Sequence, residues 1–104
     1  MDLKIMILYI PFPDEKSATK MAQGLLEQKL AACTQIFSAH SMYPWNDKIQ
    51  KSSESILLVK TFKKKSKALG KFILKNHPYD LPCIIRTTAW VNEEYHSWMH
   101  SVVD

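Results

Sequence analysis

An α+β sandwich is predicted by three features of this 104-residue chain. Strand-like and helix-like stretches alternate as β-α-β-β-α-β-α. Two of the strand-like stretches run far longer than their neighbours, and each of the two βαβ halves has a right-handed crossover that puts its helix on the same side of the sheet. The prediction is a ferredoxin-like βαββαβ sandwich, one domain spanning residues 1–104, with a long hairpin between its second and third strands and an extra C-terminal helix.

The first element, "LKIMILYI" (Leu3 to Ile10), is almost continuously apolar and rich in Ile, as in a central strand buried on both faces. Asp14 follows Pro13 as a helix cap, and Ala18, Met21, Ala22, Leu25, Leu26 and Leu30 recur at helical spacing, predicting a helix from about residue 15 to 32. "TQIFSAHSMYPW" and "IQKSSESILLVKTF" are joined by Asn46 and Asp47, which carry the turn chemistry of a hairpin. Within the second of these, Ile56 to Val59 is apolar on both faces and Gln50 to Ser55 polar on both. The apolar half therefore belongs in a core and the polar half projects beyond it.

"KKKSKALGKFILKN" reads as a second amphipathic helix stopped by Pro78, with Leu69, Phe72 and Ile73 on one side. "LPCIIRTTAW" supplies a fourth strand. "NEEYHSWMHSVV" offers Asn92 as a cap, Glu93 and Glu94 in the first turn, and Tyr95, Trp98, Met99 and Val102 as a buried stripe.

Hydrophobic residues make up 46% of the chain and charged residues 23%, a globular composition that folds without help from a cofactor. The net charge is +4, but 13 of 14 basic residues are Lys and only Arg86 is Arg. Nucleic-acid readers lean on bidentate Arg, and the third strand lacks the aromatic platform of an RNA-recognition domain, so no nucleic-acid partner is expected. The apolar run Ile5 to Ile10 is too short for a signal-peptide core or a membrane span, so no membrane insertion is expected. Cys33 and Cys83 stand far apart without a CxxC motif, which points to free, at least partly buried thiols and a cytoplasmic location.

Catalysis has little to work with. Both glycines, Gly24 and Gly70, lie inside helices, which leaves no glycine-rich phosphate loop, and no Ser/His/Asp or Cys/His nucleophile pattern is readable. The chain is predicted not to be an enzyme. The side chains that bear chemistry are histidines. His96 and His100, four apart on the last helix, share a side and have the spacing to chelate a divalent ion, although they also fit the boundary of the Tyr95, Trp98 and Met99 stripe. "NHPYDLPC" places His77, Pro78, Tyr79 and Cys83 within eight positions. One reading is a helix stop in which Pro78 forces Asn76 and His77 out of the helix and the imidazole bonds a C-terminal carbonyl; the other is a rigid turn presenting His77 and Cys83 to a metal.

"KLAAC" (Lys29 to Cys33), "SMYPW" (Ser41 to Trp45), "LLVKT" (Leu57 to Thr61), "HPY" followed by Pro82, and "YHSW" (Tyr95 to Trp98) occur in this order. Together they resemble the CutA family of periplasmic or cytosolic divalent-cation tolerance proteins over nearly the whole chain. The resemblance implies a homotrimer whose long hairpins extend neighbouring sheets, with a role in tolerance of copper and other divalent metal ions. It also implies that Tyr43, Trp45, Lys60, His77, Pro78, Tyr79, Tyr95 and Trp98 gather at clefts between subunits. At the family's other ligand positions this chain has Ile10 and Cys83 in place of a cysteine and an acidic residue, so His77 and Cys83 are the expected ligands of a weakly bound divalent metal such as copper. The alternative is a PII-like signalling module that binds a small anionic ligand at the inter-subunit cleft through Lys60.

Overall fold

The computed structural model describes residues 2–103. Its elements run β1 (Lys4–Phe12), α1 (Glu15–Glu27), β2 (Cys33–Trp45), β3 (Lys48–Thr61), a 3-10 turn (Lys63–Lys65), α2 (Ser66–Asn76), β4 (Ile85–Trp90) and α3 (Glu93–Val102). The strands form one antiparallel sheet in the order β2-β3-β1-β4, the ferredoxin-like arrangement, with α3 as the added C-terminal helix.

Alternation along β1 sorts the interior into two cores on opposite faces. Met6, Leu8, Ile10 and Phe12 point toward the crossover helices and pack with Ala18, Met21, Ala22 and Leu25 of α1 and Leu69 and Ile73 of α2. Ile5, on the other face, packs with Phe62, Met99 and Val103. Full burial of this strand on both faces was the expectation; instead Ile7 and Tyr9 are only half-buried. The physical reason is coverage, because the ten-residue α3 lies over one end of that face and leaves the rest without a helix.

Both helical glycines mark close approaches. A Cβ on Gly24 would meet the Phe72 ring at 2.9 Å, and one on Gly70 would meet the Arg86 guanidinium at 2.5 Å. Gly24 thus lets α1 and α2 draw together, and Gly70 leaves room for Arg86, whose Nε donates to Ser66 Oγ at 2.9 Å.

Two boundaries differ from the sequence expectation. Helix α1 begins as expected, with Asp14 Oδ1 accepting from the Ser17 N–H at 2.7 Å, but it ends at Glu27 rather than near residue 32. Lys29 adopts φ 56°, its N–H donates to the Leu26 carbonyl, and the Leu30 N–H donates to Leu25. That is a Schellman closure, with Leu30 turned back onto the core beside Leu25. At the other end of the chain β4 starts at Ile85, so Cys83 lies outside the ladder and is exposed, where partial burial was expected; Cys33 is half-buried as expected.

The hairpin is the long element the sequence announced. Beyond the Phe12↔Ser55 pair, β3 has only β2 beside it, and residues 39–45 and 48–54 run on as a two-stranded ribbon. At about 3.3 Å per residue this ribbon projects roughly 20 Å, consistent with a longest dimension of 49 Å against 23 and 21 Å. Asn46 and Asp47, with φ of 51° and 61°, close it in a two-residue turn whose twist matches the strands.

Candidate functional site

The residues singled out in the sequence fall into separate groups within one chain. The first lies where β1 leaves the helix-covered face. His77 caps α2 in an extended conformation, since the residue before a proline is kept out of the helical region. Asn76, expected outside the helix, remains its last residue, because the restriction reaches only one position back. Its Nδ2 donates to the Phe72 carbonyl at 2.8 Å, so Asn76 rather than His77 bonds a helix C-terminal carbonyl.

The His77 ring reaches across to β1, stacking on Phe12 with centroids 4.3 Å apart. Its Nδ1 accepts from the Tyr79 N–H at 3.0 Å, and its Nε2 lies 2.9 Å from the Pro11 carbonyl. A backbone N–H only donates and a carbonyl only accepts, which fixes the Nε2–H tautomer and engages both nitrogens. Burial pushes the imidazole pKa below its ordinary value of 6.5, with the Pro11 carbonyl acting in the opposite direction. Tyr79 Oη donates to Glu54 Oε2 at 2.8 Å, and burial followed by this carboxylate pushes the phenol far above its ordinary range. Glu54, which the sequence reading passed over, was detectable as the only acidic residue of β3.

Lys60 and Cys33 form a cross-strand pair that opens the second group, roughly 20 Å further along β3. Lys60 Nζ sits 5.2 Å from the centre of the Tyr95 ring, and Tyr95 lies 5.3 Å from Trp98 on α3. Burial, and after it the neighbouring Cys33 thiol, raises the Tyr95 hydroxyl pKa, while the Lys60 ammonium pulls it back. Tyr43 and Trp45 belong to the projecting ribbon, with Trp45 58% exposed; Pro78 is exposed beside His77. A single protomer therefore does not bring Tyr43, Trp45, Lys60, Pro78, Tyr79, Tyr95 and Trp98 to one place.

Phe62 organises a third group, with the His100 ring stacked on it at 4.2 Å and the His96 ring edge-on at 5.3 Å. Among the described residues, no three His, Cys, Asp or Glu side chains converge on one point.

The family described as CutA1 divalent ion tolerance protein matches residues 6–102. The divalent-cation tolerance protein CutA of Thermococcus kodakarensis is 38% identical over 102 residues, covering 97% of this chain and 98% of that protein. Its counterpart from Pyrococcus horikoshii is 36% identical over 96 residues, covering 91% and 94%. Among solved structures, CutA1 from Ehrlichia chaffeensis superposes with a TM-score of 0.93 at 32% identity, covering 96% of this chain and 95% of that one. CutA from Synechococcus elongatus gives 0.94 at 28% identity, covering 98% and 92%.

Proposed function

The chain belongs to the CutA1 divalent ion tolerance protein family, and from that premise we propose that it responds to divalent cations as a homotrimer that binds the ion itself. The property that defines the family is tolerance of divalent ions.

The observation that carries the trimeric reading is the incomplete cover of the sheet. Phe37, Tyr9 and Ile85 share the face opposite the crossover helices, as the pairings Phe37↔Ile56, Ile56↔Pro11 and Tyr9↔Ile85 require, and Phe37 and Ile85 are 45% and 50% exposed. Next to them the ribbon leaves Met42, Trp45 and Ile49 more than half exposed, and β2 is an open edge. An apolar face continuous with a pairing-competent edge is matched by other copies of the same surface arranged around a closed axis. Such closure also supplies the means of joining the separated cleft residues, with Tyr43, Trp45 and Tyr79 from one end of a protomer facing Lys60, Tyr95 and Trp98 of another.

For the ion, His77 and Cys83 are the ligands this reading assigns to the turn before β4. A metal at His77 competes with the Tyr79 and Pro11 hydrogen bonds, worth about 1 kcal/mol each, so binding there is weak. Both cysteines are free, which supports a reducing, cytoplasmic setting. No described helix is long and apolar enough to cross a membrane. Light scattering combined with Cu(II), Zn(II) and Co(II) titration of the purified protein tests the proposal. The expected result is a mass three times that of the 12.1 kDa chain together with saturable uptake of at least one of these ions. A monomer at micromolar concentration overturns the assembly, and a protein that takes up none of the ions overturns the ion-binding role.

A further inference from the structure

The histidines of α3 differ from His77 in the one respect that matters to a metal. Both His77 nitrogens are engaged by protein, whereas among the described residues no hydrogen bond engages the ring nitrogens of His96 or His100. The four-residue spacing puts the two rings on one side of the helix, with centroids 4.8 Å apart and planes at 70°. Phe62, only 6% exposed, fixes them from below, flat against His100 and edge-on to His96. Paired imidazoles one helical turn apart are a recurrent bidentate arrangement for Zn(II), and imidazole also suits Cu(II). An aromatic floor that limits ring rotation lowers the ordering cost of capturing an ion.

We infer that His96 and His100 form a bidentate site for a borderline divalent cation such as Cu(II) or Zn(II) at the edge of α3 that borders Phe62, with water or a small anion in the remaining coordination positions. His96 is half-buried and His100 exposed, so the site is anchored on one side and open on the other. Beside it lies a shallow cavity of about 260 Å³, lined by His100, Phe62, Asp2, Lys4, Lys63 and Lys64. Three ammonium groups against one carboxylate disfavour a bare dication and favour one carrying an anionic co-ligand. The site is therefore a low-affinity, exchangeable one rather than a closed structural centre. The inference rests on the ion-binding role proposed above and adds a second ion position, on α3, to the one assigned to the turn before β4.

The test is Cu(II) titration of the full chain by calorimetry and electron paramagnetic resonance, comparing wild type, His96→Gln/His100→Gln and His77→Gln/Cys83→Ser. The inference expects a Cu(II) signal showing nitrogen coupling from two imidazoles. It expects at least a tenfold loss of affinity at that two-imidazole site in the α3 variant, and retention of its signal in the turn variant. A wild-type protein that takes up no Cu(II) or Zn(II) overturns both this inference and the ion-binding role. A two-imidazole signal that survives the α3 substitutions but falls with the turn substitutions overturns the inference alone. Because the α3 substitutions also remove the stack on Phe62, sub-stoichiometric Cu(II) is added to the unaltered protein as a second measurement. Broadening of the His96 and His100 ring resonances supports the site, and broadening confined to His77 overturns it.

Discussion

At the scale of single residues, His77 is defined by what its two nitrogens touch. Protonating Nδ1 would set one N–H against another, that of Tyr79, while the stacked Phe12 ring and the surrounding burial give a cation no compensation. Its folded pKa consequently lies below 6.5, whereas the unfolded chain takes up its proton at about that value. The unfolded state then binds more protons, and this group's contribution to stability is complete above pH 6.5 and lost as the pH falls from 6.5 to the folded pKa. Urea midpoints at pH 7.5 and 5.5 should show wild type losing more stability than His77→Gln on acidification; equal losses would refute the account. Tyr79→Phe should cost about 1 kcal/mol near neutral pH, because Glu54 loses a phenolic donor at a half-buried position; an unchanged urea midpoint would refute that. The sequence identified this turn, since Pro78 dictates it. It did not identify the partners, because Pro11 and Glu54 stand 66 and 25 positions from the residues they bond and nothing local encodes such a meeting.

Elements were legible where a residue type names the backbone state it prefers. Asp14 marks the start of α1, and Asn46 with Asp47 marks the hairpin tip, each by local hydrogen-bonding chemistry. The end of α1 was misread because its left-handed position, usually glycine, holds Lys29, and apolar periodicity carried on through Leu30 to Ala32. The structure turns that misreading into a prediction. A side chain in the left-handed region costs roughly 1 to 2 kcal/mol, partly offset by the greater chain entropy of an unfolded glycine. Lys29→Gly should therefore stabilise the protein by about 0.5 to 1 kcal/mol, read as a higher urea midpoint with an unchanged slope, whereas a loss of stability would show that the Lys29 side chain makes a compensating contact. Cys83 illustrates the converse limit. It was assigned to a strand from the apolar Ile84 and Ile85 beside it, yet a strand begins where a partner begins, and β1 meets β4 first at Ile85.

For the whole molecule, the sequence foretold a ribbon too long for its helices to cover, but the uncovered sheet face became apparent only once the register was known. Phe37 looked like an ordinary strand residue; pairing with Ile56, itself opposite Pro11, puts it on the side that α1 and α2 do not occupy. If three copies close over this face, each substitution acts three times per assembly, so modest local losses shift the equilibrium strongly. Truncating a tryptophan at the centre of an interface commonly costs about 2 kcal/mol or more, so Trp45→Ala should shift the trimer toward monomer at concentrations where wild type stays assembled. Phe37→Glu should do so more completely, since it buries an unpaired carboxylate at each contact. Lys71→Glu, a larger charge change on an exposed position of α2, should leave the mass unaltered. Sedimentation of the three variants over a hundredfold dilution measures this directly. Dissociation by Trp45→Ala and Phe37→Glu alone would locate the interface on the ribbon and the uncovered face. Loss of assembly in Lys71→Glu with the other two intact would place it on the helices instead, leaving the exposed Trp45 and Phe37 to some other partner.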